Sequence, residues 1–592
     1  MSDVERIKAE RGLNGGLTEA FRDFERPDIE EDLEQVAKSH GIYMQFNRAQ
    51  SGREKDWMYM IRLAVPGGGP LSYNQWQLLD DLARKHAINP QGEASLRLTT
   101  RQAIQFHWVD KPGVLAIVKA AAESGLRSLN ACGDNVRNVM SCPLAHRGPF
   151  PANDVARDLA QWFELPLAPF IEVFAIDPNA VEDSGPRFDY GPQLLNRKFK
   201  IGVGAITRQG DELVLDNCVE VRTHDLGFTP DLESHGERVW VWVGGGQGEK
   251  LGKSTASMLA LPLARIDRGQ LRQVANAIVG VHRDWGNREQ RHHARLKYLI
   301  RSQGIEWFRK QVSDRSGIRL GSLRGLPDVG ARHLHHGWMR HGEQLDFGMF
   351  VENGRLIDSS PNGQLLRLVG QLLASFPVSV SITANQDLVF HGVPNQATRD
   401  FESLLVVHGY GQRYGQPYSR LRLQSGACVG RDTCRLAYTD SEKFEPQLID
   451  ELEALGWGDL VTSIGVTGCE RQCFRPGTKA IGLVGSGLNR YQFKFGGTED
   501  GRHQGRPLRL EGKEYLRSVP KERVTQLLNL LFQAYRKSAV DGESLGTFNR
   551  RLGTSGLVEL FSGHGDTADL MAKTVPYKEY EHEFEHRVTA AR

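Results

Sequence analysis

A chain of 592 residues is too long for a single hydrophobic core, and three or four domains are expected. Hydrophobic residues make up 40% and charged residues 25%, the balance of an ordinary soluble globular protein, and a formal net charge of +2 excludes a dedicated nucleic-acid binder. No apolar run reaches the roughly 20 residues that span a bilayer, and Met1-Ser2-Asp3-Val4-Glu5-Arg6 lacks the apolar segment of a signal peptide, so a cytoplasmic protein that meets no membrane is expected.

Residues 1–50 read as a charged, helix-prone arm. Trp57 to Val65 is strand-like and is stopped by Pro66-Gly67-Gly68-Gly69. Residues 74–87 then place Trp76, Leu78, Leu79, Leu82 and Ala83 at helical spacing. A second strand is predicted from Ser95 to Thr99, running on through Arg101 to Gln105–Val109, and a helix over 113–124 completes a half-unit spanning 51–125. Residues 126–325 alternate strand-like runs (Phe170–Ala175, Phe199–Ala205, Arg238–Val243) with a helical one, Leu271–Val281, as an α/β domain does.

The first pattern then returns. Val380 to Val393 lies on Leu96 to Val109 at a constant offset of 284, with Thr99, Gln102, Phe106, His107 and Val109 matched by Thr383, Gln386, Phe390, His391 and Val393. Asn130-Ala131-Cys132 and Cys142-Pro143-Leu144-Ala145 resemble Gly426-Ala427-Cys428 and Cys434-Arg435-Leu436-Ala437, and Lys200-Ile201-Gly202-Val203 resembles Ala480-Ile481-Gly482-Leu483. The chain is therefore read as internally duplicated, with a second half-unit over 326–405 and a second α/β domain over 406–561. Two such halves are expected to face each other across a pseudo-twofold axis, and a cleft between them is a natural ligand site. The polar segment 562–592 is expected to lie outside the core.

Cys428 and Cys434 form a C-x5-C pair, and Cys469 and Cys473 a C-x3-C pair. Four thiolates on two loops suit an iron–sulfur cluster or a single tetrahedral zinc ion, and spacing alone leaves both open. Cys132, Cys142 and Cys218 read as ordinary buried thiols. The glycine-rich run Gly244–Ser254 invites a phosphate-loop reading, but Gln247 stands where that pattern needs glycine. Its Lys250 and Lys253 fit an anion contact or a plain surface loop equally.

Cations interrupt segments that otherwise read as buried. Arg62 breaks an apolar strand, Arg97 and Arg101 are expected on one strand face, Arg137 sits in Gly133–Val139, and Lys198 and Lys200 alternate onto one face. Buried cations are costly unless paired, so a strongly anionic partner is expected, either a polycarboxylate cofactor or an oxyanion.

These segments, Arg97-Leu98-Thr99-Thr100-Arg101-Gln102 with Gln105-Phe106-His107, Asp134–Asn138, Arg197–Lys200 and Arg283–Arg288, together with the two cysteine pairs and Asn489–Gly497, resemble the sirohaem and 4Fe-4S sulfite and nitrite reductases, on the assimilatory sulfite side of that family. The resemblance covers nearly the whole chain. It implies a mixed α+β and α/β architecture in which two ferredoxin-like half-units pair across the pseudo-twofold and two α/β domains enclose the cofactors. It implies that Cys428, Cys434, Cys469 and Cys473 hold the cluster, with Cys473 also ligating the sirohaem iron. It further implies that Arg97, Arg101, Gln105, His107 and Arg197, with Lys253 and Asn385, bind sirohaem, while Arg62, Arg137, Lys198 and Lys200 cage the substrate anion. The implied activity is six-electron reduction of sulfite to sulfide for cysteine synthesis. Nitrite reduction to ammonia and a non-catalytic iron–sulfur protein are the alternatives. Either an NADPH-oxidising flavoprotein subunit or ferredoxin fits as electron donor. Two departures stand out: the charged C-x3-C interior Glu470-Arg471-Gln472, and residues 565–592, which extend past the family core.

Overall fold

The structure, a computed structural model, describes residues 2–577 apart from 47, 49–54, 184, 251–252, 254, 322, 324–328, 342 and 499. It forms two compact units, Met1–Gly244 with Ala260–Pro417, and Gly245–Leu259 with Tyr418–Arg592. Among the described residues no helix is long and apolar enough to cross a membrane.

The first unit contains both half-units. In the first, the helix Tyr73–His86 opens on a capping box, in which Ser72 accepts from the Gln75 N–H and the Gln75 side chain accepts from the Ser72 N–H. Such a box satisfies two of the donors a helix start leaves open, and a cap of this kind contributes about 1 kcal/mol. The helix buries Trp76, Leu79, Leu82 and Ala83, as the spacing predicts. It lies beside a five-stranded sheet ordered Ile42–Phe46, Trp57–Ala64, Ala103–Val109, Leu96–Leu98 and Arg355–Leu356. The second half-unit repeats this order in Gly337–His341, Gln344–Met349, Leu388–Pro394 and Ser379–Ile382. The two exchange backbone contacts reciprocally: Leu356 pairs with Leu96, and Leu71 bridges to Val380, the residue at the 284 offset from Leu96. The duplication expected from the sequence is thus built into the hydrogen bonding. The N-terminal arm supplies the strand Ile42–Phe46, placed as Gly337–His341 is in the second copy.

Two elements differ from expectation. Leu96–Leu98 and Ala103–Val109 are separate antiparallel strands, not one continuous strand. The reversal uses Gln102 at φ 52°, a conformation usually signalled by glycine. Arg101 therefore sits in the turn and does not share a strand face with Arg97. Phe170–Ala175, read as a strand, belongs to the helix Leu167–Phe174, where Leu167, Phe170, Val173 and Phe174 are buried at helical spacing. Short apolar runs carry no period of their own to separate the two readings.

The α/β part of the first unit holds a sheet ordered Met140–Ser141, Ile201–Val203, Leu226–Pro230, Arg238–Val243 and Leu261–Asp267, its first two pairings parallel and its last two antiparallel. The second unit repeats this in Gly426–Ala427, Ile464–Thr467, Ile481–Gly487, Arg490–Phe495 and Arg506–Leu510. Strand order corrects the local echoes. Cys142, directly after the first strand, corresponds to Cys428, and Ile201–Val203 corresponds to Ile464–Thr467 instead of Ile481–Leu483. Strings of three or four residues carry no register; sheet order does. The helices Ser441–Ala454, Val524–Ser538 and Leu545–Ser562 close the second core around Leu448, Val466, Leu483, Phe493 and Leu528. Of the segment expected outside the core, Leu570 and Met571 are buried in it and Val575–Pro576 pairs with the strand Lys513–Tyr515; 578–592 lie outside the described residues.

Candidate functional site

In the first unit, one register row crosses four strands. Arg62 lies opposite Gln105, Gln105 opposite Arg97, and Arg97 opposite Arg355. Directly opposed residues share a sheet face, so these side chains stand on one side. Nothing in the sequence marks Arg355; its place follows from the exchanged strand, where the equivalent position in the first copy is Pro70. His107 adjoins the row, its Nδ1 3.1 Å from Arg355 Nη1. Burial, followed by the charges of Arg355, Arg97 and Arg62, pushes His107 well below the usual imidazole range, so it is neutral. Gln105 Oε1 and Arg62 Nε are buried without a hydrogen-bond partner.

The backbone brings the remaining cations to the same neighbourhood. Val136 bridges Phe199 and the Arg137 N–H donates to the Phe199 carbonyl at 2.9 Å, setting Arg137 beside Lys198 and Lys200. Phe199 is fully buried, and its two lysine neighbours are partly exposed, as alternation requires. The Arg137 guanidinium is fixed by two bonds to the Gly133 carbonyl, at 3.1 and 3.0 Å, and pairs with Tyr43. Arg62 Nη1 donates to Cys132 Sγ at 3.1 Å. Arg101 Nη2 reaches the carbonyls of Asn138 and Ile201, and Asn138 Nδ2 donates to those of Val65, Arg101 and Gln102. Asn138 thereby stitches the hairpin turn to the loop carrying Arg137.

Lys198 has the most telling electrostatics. Burial, then the cations Lys200, Arg137, Arg197 and Arg295, push its amine well below the usual lysine range. Arg197 is lowered to about 10 by burial and Arg291, although Asp134 lies 3.7 Å away. Asp134 is already engaged by Arg291 at 2.8 Å and Lys8 at 3.6 Å. The donor set therefore fits a polyanion: converging cations, neutral polar groups and buried polar atoms left to be satisfied. Asn385 occupies the turn position at the 284 offset from Arg101; its Oδ1 accepts from Arg332 at 3.3 Å and its Nδ2 is buried without a hydrogen-bond partner. Lys253 belongs to the second unit and is exposed on a short turn.

In the second unit the cysteine loops leave the same ends of two adjacent parallel strands. Cys428 follows Gly426–Ala427 and Cys469 follows Ile464–Thr467, so strand pairing itself brings the loops together. The Cys428 N–H donates to the Val466 carbonyl at 3.1 Å and the Gly468 N–H to Cys428 Sγ at 3.2 Å. Gly468 is required there, because a Cβ would come within 2.8 Å of the Ala437 Cβ and 3.0 Å of the Thr439 carbonyl. Burial first, then neighbouring thiols, raises Cys434 to about 11 and Cys469 well above the usual thiol range. None of the seven cysteines is disulfide-bonded. Arg471 sits against Cys469, Cys473 and Cys434, which offset its burial and hold its charge; the charged C-x3-C interior thus places a cation beside the thiolates. Cys469 is buried, whereas Cys473 is exposed.

Among the described residues, two groups have ligand atoms all within 4.8 Å of one another, and neither includes these four cysteines. Four sulfurs around one zinc at about 2.3 Å would lie about 3.8 Å apart.

Two family models match the chain: the nitrite/sulfite reductase ferredoxin-like half domain over residues 51–124 and the nitrite and sulphite reductase 4Fe-4S domain over 132–320. The second match covers the first α/β sheet; the cysteine loops lie on its topological copy. The chain is 32% identical over 582 residues to the sulfite reductase [NADPH] hemoprotein beta-component of Geobacillus kaustophilus, covering 93% of this chain and 96% of that protein. It is 33% identical over 575 residues to the protein of that name from Methylorubrum extorquens, covering 93% and 89%. The Mycobacterium tuberculosis NirA structure superposes with a TM-score of 0.74 over 94% of this chain and 97% of that one, at 22% identity, and so shares the fold.

Proposed function

This chain belongs to the nitrite and sulfite reductase family, and from that premise we propose that it is a sulfite reductase using sirohaem and a 4Fe-4S cluster. Six electrons and six protons convert hydrogensulfite to hydrosulfide and three waters. When bound, the cofactors supply single electrons and an open iron position. Cys428, Cys434, Cys469 and Cys473 would hold the cluster, and the exposure of Cys473 supports its also reaching the sirohaem iron. Arg97, Arg101, Gln105, His107 and Arg197 would pair with the sirohaem carboxylates, with Lys253 and Asn385 as further contacts.

Arg62, Arg137, Lys198 and Lys200 bind the substrate anion in this reading. Arginine keeps its charge throughout, so Arg62 and Arg137 lower the desolvation penalty of the anion and polarise its S–O bonds. Lys198 carries the reading: its amine is surrounded by cations and easily deprotonated. An arriving anion reverses that field and restores its proton, which then stands ready for a departing oxygen. Electrons would come from NADPH, which the names of the relatives carry, through a flavoprotein subunit as the resemblance implies; a ferredoxin would use the same cofactors. Seven cysteines, none of them in a disulfide, are in keeping with a reducing cytoplasm.

Protein from a host that makes sirohaem should show a Soret band, acid-labile sulfide, and sulfite turnover with reduced viologen. Labile sulfide without a Soret band would leave a non-catalytic iron–sulfur protein and end the proposal.

A further inference from the structure

Away from the cations and the cysteine loops, four metal-ligating side chains meet inside the first unit. Cys142, Asp216, Cys218 and His335 are all buried, and one ligand atom from each lies within 4.8 Å of every other. They come from four places: the end of the strand Met140–Ser141, the end of Glu212–Asp216, the loop after it, and the segment leading into Gly337–His341. That segment is clamped to the hairpin, since Asp216 bridges Ala331 and the Asn217 N–H donates to the Ala331 carbonyl at 2.9 Å.

We propose that these four residues bind a structural zinc ion. Zinc with thiolate, imidazole and carboxylate ligands at about 2.3, 2.0 and 2.1 Å gives tetrahedral edges of about 3.5 Å from sulfur to nitrogen and about 3.4 Å from nitrogen to oxygen. The corresponding distances are 3.5 Å between Cys142 Sγ and His335 Nε2, and 3.3 Å between His335 Nε2 and Asp216 Oδ2. Asp216 divides its oxygens as a ligand would: Oδ1 accepts the Cys218 N–H at 2.9 Å, while Oδ2 is buried and faces His335 Nε2. Two thiolates and a carboxylate balance a divalent cation to within one charge, and four protein ligands leave no open position, the mark of a structural site. The other group of this kind, His146, Asp346 and His391, differs: Arg147 occupies the Asp346 carboxylate at 2.6 Å and His146 is exposed. The ion would staple the segment entering the second half-unit to the first α/β sheet, close behind the strand that Gln102 holds at Ser141.

The test is metal content of the full-length holoenzyme grown with zinc and passed through gel filtration. About one zinc per chain is expected, with a zinc-edge absorption shell of two sulfurs near 2.3 Å and two nitrogen or oxygen atoms near 2.0–2.1 Å. Cys218→Ser should lose that zinc and keep its iron, while Cys434→Ser should keep the zinc. The wild-type stoichiometry and shell decide the matter even if Cys218→Ser fails to fold. Zinc absent from the wild type, with Cys142 and Cys218 recovered as alkylated thiols or joined in a disulfide, would overturn the proposal. So would zinc that follows Cys434 instead.

Discussion

Gln102 and Gln386 are 284 residues apart and do the same thing in opposite directions: Gln102 Nε2 donates to the Ile382 carbonyl at 2.8 Å, and Gln386 Nε2 donates to the Leu98 carbonyl at 3.3 Å. Each lies in the left-handed region, at φ 52° and 74°, in the turn of its own half-unit, and each reaches the other half. Gln102 also donates to the Ser141 carbonyl and accepts its N–H, at 2.8 and 3.1 Å. Leaving a buried carbonyl unsatisfied costs about 1–3 kcal/mol. Gln102→Leu and Gln386→Leu should each lower Tm by several degrees, Gln102→Leu more. Unchanged Tm in both would show that the reciprocal bonds hold nothing together.

Lys198 links stability to function with opposite signs. Its folded pKa lies below its unfolded value, so the unfolded chain binds more protons between the two. The penalty is full below the folded pKa and fades as pH rises to the unfolded value of about 10.4. In protein freed of bound anion, Lys198→Met should raise Tm near neutral pH, with the gain shrinking toward pH 10.4. The same variant should lower kcat for sulfite by about 100-fold, the range of a lost general acid. Equal Tm values at all pH together with full turnover would remove Lys198 from both roles.

Arg137 is held by two bonds to Gly133, a geometry lysine cannot copy. Arg137→Lys should raise KM for sulfite by about tenfold, and Arg137→Ala by more, because a bound anion then loses a charge-assisted partner. A KM unaltered in both would place the anion elsewhere.

Cys473 is the exposed member of the cysteine set, and Cys469 the buried one. Cys473→Ser should abolish coupling between cluster and haem signals in electron paramagnetic resonance and stop turnover, while Cys469→Ser should lose the cluster's iron and sulfide altogether. Full turnover in Cys473→Ser would sink the bridging assignment.

What was legible in the sequence follows from what each signal depends on. The cysteine loops were readable as a pair because four cysteines fall in two short spacings. The duplication was readable at Gln102 and Gln386 because a reversed turn and a cross-half bond both constrain the residue. The turn itself was missed, since glutamine stands where glycine usually marks left-handed backbone. Arg355 was invisible because its position depends on an exchanged strand. Cys142, Asp216, Cys218 and His335 read as unrelated residues because only the sheet order and the clamp at Ala331 gather them from nearly two hundred positions of chain.

The central claim is that the cations around Lys198 serve sulfite. The direct test is kcat/KM for sulfite and for nitrite, with a reduced viologen donor, on protein carrying both cofactors. A clear preference for sulfite is the predicted result. A clear preference for nitrite would keep the site and contradict the substrate, and turnover of neither anion by the loaded enzyme would contradict the site itself.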